Sequence, residues 1–113
     1  MKFQDDPRPD LMPGTLDLLI LQTLRREEMH GYGIAQRLRE VSDDVLRVEE
    51  GSLYPALQRL LLKGWIAGTW AITENNRRAR YYRLTEAGRR ELASRTAGYT
   101  RLTLAILRVL EAV

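Results

Sequence analysis

The net positive charge of this 113-residue chain is concentrated in one segment. Between Asn75 and Arg95 there are seven arginines against two glutamates, whereas the whole chain has a net charge of only +3. These arginines are Arg77, Arg78, Arg80, Arg83, Arg89, Arg90 and Arg95. Such a cluster attracts a polyanion at long range and releases counterions when it contacts phosphates. The segment therefore predicts a nucleic-acid contact, with an ordinary solvated surface as the alternative.

Side chains suited to catalysis are scarce. His30 is the single histidine, cysteine is absent, and no glycine pattern of a nucleotide-binding loop occurs. The pairs Asp43-Asp44 and Glu49-Glu50 are candidate cation ligands, but adjacent side chains diverge and hard cations need several converging oxygens. We therefore predict no enzymatic activity, no metal and no cofactor. For His30 we expect a structural hydrogen bond, with pH sensing as the alternative.

Length and composition predict a single domain with a small core. The chain is 44% hydrophobic and has no Pro/Gly/Ser-rich linker. Residues 1–10, with two prolines and mixed charges, are expected to form a flexible leader, and they lack the apolar stretch of a secretory signal. No apolar run approaches the roughly 20 residues needed to span a bilayer. We expect a cytoplasmic protein.

Apolar spacing predicts two helices in the first part of the chain. The first follows Gly14, with Thr15 as its cap and helical spacing of apolar residues over residues 16–24. A segment with two glycines interrupts the pattern, and a second, shorter helix follows over residues 34–41. The two helices are therefore separated by a short break.

A third helix is predicted after a turn at residues 42–44 and an extended connector at residues 45–50. It begins near Ser52 and ends at Gly64, and Pro55 lies early enough for a helix to tolerate it. Its apolar stripe consists of Leu53, Ala56, Leu57, Leu60 and Leu61. This stripe predicts one buried face and one polar face.

The hydrophobic period changes after the third helix. Two β-rich runs, residues 65–73 and 79–85, flank a polar and basic turn, which predicts a hairpin. Thr85 opens a last helix that we expect to continue past Gly98 almost to the C-terminus.

Three helices, a basic hairpin and a further helix form the plan of a winged helix-turn-helix, mainly α with a small β-hairpin. In this plan the third helix enters the major groove and the hairpin contacts the flanking backbone. Gln58 suits adenine and Arg59 suits guanine, with a solvated face as the alternative. The polar face of the third helix carries Ser52, Tyr54, Pro55, Gln58, Arg59 and Lys63.

Several motifs also resemble a known family. They are Gly14 to Leu21, His30 to Ile34, Gly51 to Leu57, Arg59-Leu60 and Tyr81 to Gly88. In this order and spacing they closely resemble the PadR family of bacterial transcriptional regulators, over about residues 11–110. Each motif alone would be weak, but together they are highly specific.

The resemblance implies a dimeric winged-helix regulator, usually a repressor, of the subgroup with one C-terminal helix. It implies that this helix carries dimerisation and that any small-molecule effector acts around the dimer interface. Family members that bind drugs use an aromatic residue of the terminal helix, where this chain offers Tyr99. It places Tyr32, Ser52 and Tyr54 near the DNA backbone and residues 75–80, including Asn76, Arg77, Arg78 and Arg80, at the wing tip.

The last helix carries an apolar stripe of its own. Spacing of three and four residues connects Tyr99, Leu102, Ile106, Val109 and Val113, and Leu107 and Leu110 widen the stripe. A small domain has little core to cover it, so packing against a second copy is expected, with packing on the first helix as the alternative. We therefore divide the chain into a DNA-binding domain at residues 11–85 and a dimerisation helix at residues 86–113.

A dimer would read an inverted-repeat operator, since its two recognition helices would lie one DNA turn apart. The competing function is a winged-helix adaptor that binds another protein through the terminal stripe. Trp65 and Trp70 could stack on a flat effector or be core residues beside the hairpin.

Overall fold

The computed structural model describes residues 14–112, and in that range it contains four helices and a three-stranded antiparallel sheet. The elements are α1 (Thr15–Leu24), β1 (Met29–His30), α2 (Gly31–Val41), α3 (Glu50–Leu62), β2 (Ile66–Ile72), β3 (Arg78–Leu84) and α4 (Glu86–Glu111). The predicted architecture, mainly α with a small β-hairpin, is confirmed. The predicted leader lies outside the described residues. Within them, no helix has both the length and the hydropathy needed to cross a membrane.

The prediction that Thr15 caps α1 is wrong. Gly14, with a φ of 86°, occupies the cap position without a side-chain hydrogen bond, and Thr15 is the first helical residue. Glycine adopts this left-handed conformation without steric cost, so the chain turns into the helix one residue sooner than expected.

The third helix also begins earlier than predicted, at Glu50 rather than near Ser52. The carbonyl of Glu49 accepts the first backbone hydrogen bonds of the helix, from the N–H groups of residues 52 and 53. Pro55 therefore lies in the second turn rather than the first. Its missing N–H would have paired with the carbonyl of Gly51, and this glycine is exposed, so water can satisfy that carbonyl.

The core lies between the first three helices and one face of the sheet. Its fully buried large side chains are Ile20, Leu21, Ile34, Leu53, Leu57 and Leu60. Ile66, Tyr82 and Leu84 close the core from the sheet, and Leu92 closes it from α4.

His30 initiates α2. Its Nδ1 accepts a hydrogen bond of 3.0 Å from the backbone N–H of Gly33, so it satisfies a donor that the helix leaves unpaired. The expected structural hydrogen bond is thus confirmed. His30 also belongs to β1, which pairs with β3 at Tyr81 and Tyr82. The sequence analysis missed this strand, because two residues show no periodicity.

The start of α4 is joined tightly to the base of the hairpin. Thr85 Oγ1 donates to the Gly64 carbonyl at 2.7 Å and accepts from the Gly88 N–H at 3.0 Å. The Thr85 N–H donates to the Trp65 carbonyl at 3.1 Å, and the same carbonyl oxygen lies directly against Gly88. We call these four residues the α4 joint. It connects the end of α3, the hairpin and α4 directly.

Gly88 has no room for a side chain, because a Cβ there would overlap the Trp65 carbonyl oxygen and lie 2.7 Å from Leu84 Cδ1. We expect G88A to lower the free energy of unfolding by about 3 kcal/mol, at the upper end of overpacking costs. The control is G51A, since nothing lies within 4 Å of a Cβ at Gly51. This control should be neutral or stabilise by up to about 1 kcal/mol. Urea unfolding followed by circular dichroism compares the two, and equal effects would contradict the close contact.

Loss of the His30 cap should also be measurable. We expect H30A to destabilise the fold by about 1 kcal/mol, because the Gly33 N–H loses its acceptor. H30N places an amide oxygen at the cap position and should keep most of the stability. If H30A and H30N unfold at the same denaturant concentration, the cap is not what His30 contributes.

Candidate nucleic-acid interface

The surface of α3 has two flanks around an exposed crest. The predicted buried stripe is confirmed, with Leu61 half-buried at its edge. At about 100° per residue, Gln58 lies on the crest opposite this stripe, with Tyr54 and Arg59 on either side. All the residues predicted to face the groove are exposed: Ser52, Tyr54, Pro55, Gln58, Arg59 and Lys63.

One flank of α3 faces the start of α2. The ring of Tyr54 lies against Gly31, where a Cβ would be 3.1 Å from Tyr54 Cε1. Beside it, Tyr32 is 71% exposed. Two tyrosines therefore lie at the N-terminus of α2, and helix N-termini favour phosphate groups.

An open cleft separates these tyrosines from the wing, the segment comprising β2, β3 and their turn. We call it the wing cleft. Its walls include Tyr32, Tyr54, Trp70, Arg77, Arg78 and Arg80. Guanidinium and phenol groups are suited to a phosphate backbone, since both donate hydrogen bonds to anionic oxygens.

Strand register determines which wing residues face the helices. Trp70 pairs with Arg80 and Ile72 pairs with Arg78, on the same face as the buried Tyr82. The guanidinium carbon of Arg78 lies 4.6 Å from the centre of the Trp70 ring, a cation–π contact. Trp70 is 55% exposed, so the alternative that it is a core residue is wrong.

Arg80 differs from the arginines beside it. It is the third residue of β3, which begins at Arg78, so it lies inside the strand rather than at the wing tip, where the resemblance had placed it. Its side chain crosses β2 at Gly68, where a Cβ would be 2.5 Å from Arg80 Nε. Among the described residues, Arg80 Nε is the buried side-chain nitrogen that lacks a hydrogen-bond partner. Arg80 is therefore partly packed into the wing.

Tyr82 lies below Arg80, with the guanidinium carbon 5.9 Å from the ring centre. Burial raises the pKa of the Tyr82 phenol, and nearby Tyr54 adds to this, while the positive charge of Arg80 opposes it. The phenol therefore stays neutral and remains a hydrogen-bond donor on this side of the wing.

The wing tip is a tight turn that displays polar groups. The Thr73 N–H donates to the Arg77 carbonyl at 2.7 Å, and Asn76 takes a left-handed conformation with a φ of 60°. Asn76, Arg77 and Arg78 are exposed. Arg77 in the turn and Arg78 at the start of β3 are thus held at the outer end of the wing cleft.

The opposite flank of α3 faces α1 through a contact that the sequence analysis missed. Arg59 Nη2 donates to Asp17 Oδ1 at 2.8 Å. Asp17 is buried, and its spacing to Ile20, Leu21 and Leu24 places it on the apolar face of α1. A buried charge requires a partner of opposite charge. The position of Asp17 on the apolar face of α1 could therefore have indicated, from sequence, that an ion pair forms there.

Lys63 and Trp65 lie at the far end of α3. Lys63 Nζ is 4.8 Å and the guanidinium carbon of Arg95 is 5.0 Å from the centre of the Trp65 ring. Trp65 is half-buried and packs on the core. Lys63 therefore contacts the α4 joint rather than the wing cleft.

The turn between α2 and α3 contains the carboxylates considered as cation ligands. Asp44 accepts hydrogen bonds from Arg47 and Arg39, which hold the pKa of its carboxyl well below the usual range. Within residues 14–112 no group of three or more His, Cys, Asp or Glu could hold a metal ion. Asp44 is thus an ion-pair acceptor that ties the turn together.

Beyond Leu92, α4 extends away from the core. From residue 96 to residue 112 every residue except Thr103 is exposed. The predicted apolar stripe is exposed at Tyr99, Leu102, Ile106, Leu107, Val109 and Leu110. Its last member, Val113, lies outside the described residues. The alternative that α1 covers this stripe is wrong for these turns.

Comparison with known proteins identifies related chains. Residues 20–94 match the sequence profile described as the transcriptional regulator PadR-like family. A relative from Lysinibacillus sphaericus, described as an uncharacterized protein, is 29% identical over 86 residues, which are 76% of this chain and 79% of the relative.

Solved structures share the fold over most of their length. A transcriptional regulator from Clostridium thermocellum has a TM-score of 0.76 at 27% identity, covering 88% of this chain and 95% of the other. A PadR family regulator from Eggerthella lenta has a TM-score of 0.73 at 32% identity, covering 88% and 85%. A PadR family regulator from Clostridium difficile has a TM-score of 0.74 at 27% identity, covering 86% and 99%.

The profile match extends from α1 into α4 and so includes α3, the wing and the α4 joint. PadR-like regulators bind DNA and are not enzymes, which agrees with the exposed face of α3 and with the arginines of the wing cleft. The chain belongs to the PadR-like family of DNA-binding transcriptional regulators.

Proposed function

We propose that this protein is a cytoplasmic repressor that binds an inverted-repeat operator as a homodimer. The α3 helix enters the major groove and the wing follows the flanking backbone. The wing cleft carries this proposal, because phenols and guanidinium groups line it directly beside the exposed crest of α3. A bound dimer would block the access of RNA polymerase to the promoter, which accounts for repression.

Backbone contacts come from both sides of the wing cleft. At the start of α2 and α3, hydroxyl groups donate hydrogen bonds to phosphates; they belong to Tyr32, Ser52 and Tyr54. On the other side of the cleft, Arg77 and Arg78 contact the phosphates of the DNA strand across the groove. These contacts position the protein without reading sequence. Gln58 on the crest reads a base, and adenine matches its amide.

The apolar stripe of α4 supplies the second half of the proposal. It is continuous over several turns and exposed, which is unusual for a small monomer. A second copy offers the same stripe, so a two-fold interface buries both at once. Residues 11–85 then form the DNA-binding unit and residues 86–113 the dimerisation helix.

The α4 joint links the two units mechanically. Because Thr85, Gly88 and Trp65 hold α4 against the wing, a change in the angle between paired α4 helices moves the wings and recognition helices with them. Half-sites lie about 34 Å apart on one face of DNA, so such a change lowers affinity. An effector bound at the dimer interface would act in this way.

The wing is tested by removing its exposed charges. We expect R77A/R78A to weaken binding to every duplex and to reduce the slope of log affinity against log salt by about 1.8, or roughly 0.9 per phosphate contact. R25A/R26A removes the same charge from exposed positions outside both flanks of α3 and should leave the slope unchanged. Fluorescence anisotropy with random-sequence duplexes measures both. Absence of salt-sensitive binding in the parent protein would favour the adaptor function.

The dimer is tested on the α4 stripe. We expect L102D/I106D to yield monomers with weak operator binding, since each protomer would bury two carboxylates in the interface. A97D/L104D is the control, because these exposed residues lie on the opposite side of α4. Light scattering gives the mass of each variant. A dimeric L102D/I106D protein would show that another surface pairs the chains.

A further inference from the structure

The ion pair between Asp17 and Arg59 joins a buried group to the DNA-facing helix. The side chain of Asp17 is 10% exposed, whereas that of Arg59 is 52% exposed. The two residues are 42 positions apart in the sequence, so their contact exists only when α1 packs against α3. One end of the pair is therefore held in the domain, and the other end lies beside the recognition surface.

Asp17 is less able to move than Arg59. Asp17 lies in the first turn of α1, where the helix dipole stabilises negative charge. If Arg59 swung toward a base, this carboxylate would stay buried without the arginine that neutralises it, which is unfavourable. A base contact by Arg59 must compete with the ion pair, whereas no such competition affects Gln58 on the exposed crest.

The position of Arg59 on α3 points to the same conclusion. Tyr54 is the residue of α3 that lines the wing cleft. Arg59 lies on the other flank of α3, against α1. If the wing lies on the DNA backbone, the crest at Gln58 and the flank at Tyr54 are nearest to the duplex. Arg59 is then on the side of α3 that faces the body of the domain.

We propose that Asp17 is a positioning residue: its ion pair with Arg59, an arginine that takes no part in base readout, sets the orientation of α3 in the groove. This inference rests on the proposed DNA-binding function. It gives Arg59 a role different from the guanine contact predicted from sequence. Asp17 is buried in α1 and does not contact DNA, but through this ion pair it becomes a determinant of operator affinity.

The test is a selection from a randomised duplex pool with the parent protein, D17A, R59A, D17A/R59A and Q58A. We expect the two single variants and the double variant to retain the preferred base at every position. Their affinity for the parent-selected site should fall by a common factor of about ten, since removing either partner removes the same interaction. Q58A should relax the preference at one position, which shows that the selection detects base readout.

Affinities are measured at a temperature at which circular dichroism shows every variant folded. D17N keeps an acceptor oxygen for Arg59 and should recover most of the affinity. A lost preference for guanine in R59A but not in D17A would overturn the inference, and so would unchanged affinity in both, which would mean that the pair only stabilises the fold. If the parent protein itself enriches no sequence, the proposed function fails before Asp17 is tested.

Discussion

The contact between Gly88 and the carbonyl of Trp65 is the constraint on which the rest of the structure depends. Because no side chain separates the two backbones, α4 starts directly on the base of the hairpin, and Thr85 bonds to both sides of the contact. The wing, the end of α3 and the first turn of α4 are therefore joined by direct contacts. In a dimer paired through α4, the distance between the two DNA-reading surfaces is set by these contacts and by the crossing of the two helices.

The arginines of this chain perform different tasks although their charges are the same. Arg77 is exposed in the wing turn and Arg78 is exposed at the start of β3, where its guanidinium lies over Trp70, whereas Arg80 lies across Gly68 and over Tyr82. Arg59 is paired with a buried carboxylate. Electrostatic attraction of DNA is a property of all of them together, but contact with DNA depends on which guanidinium groups remain unpacked.

Much of the fold could be predicted because its signals are local. The stripe of α3, the hairpin around a basic turn and the long α4 all follow from residue spacing, and these were confirmed. The errors occurred where local signals are weak: Gly14 rather than Thr15 precedes α1, and β1 contains two residues that pair only with a distant strand. The exposed crest of α3 was predictable, and the apolar face of α1 signalled that Asp17 needs a partner, but not that this partner is Arg59 of α3.

The sequence by itself determined the order of the four helices and the hairpin, the family motifs, the concentration of arginine and the two apolar stripes, because periodicity and composition act over a few residues. The tertiary structure alone decided that Asp17 meets Arg59, that Arg80 is packed while Arg77 is displayed, and that the outer stripe of α4 remains uncovered. These outcomes depend on contacts between residues far apart in the chain. Such contacts form only after the helices and the sheet have packed around a common core.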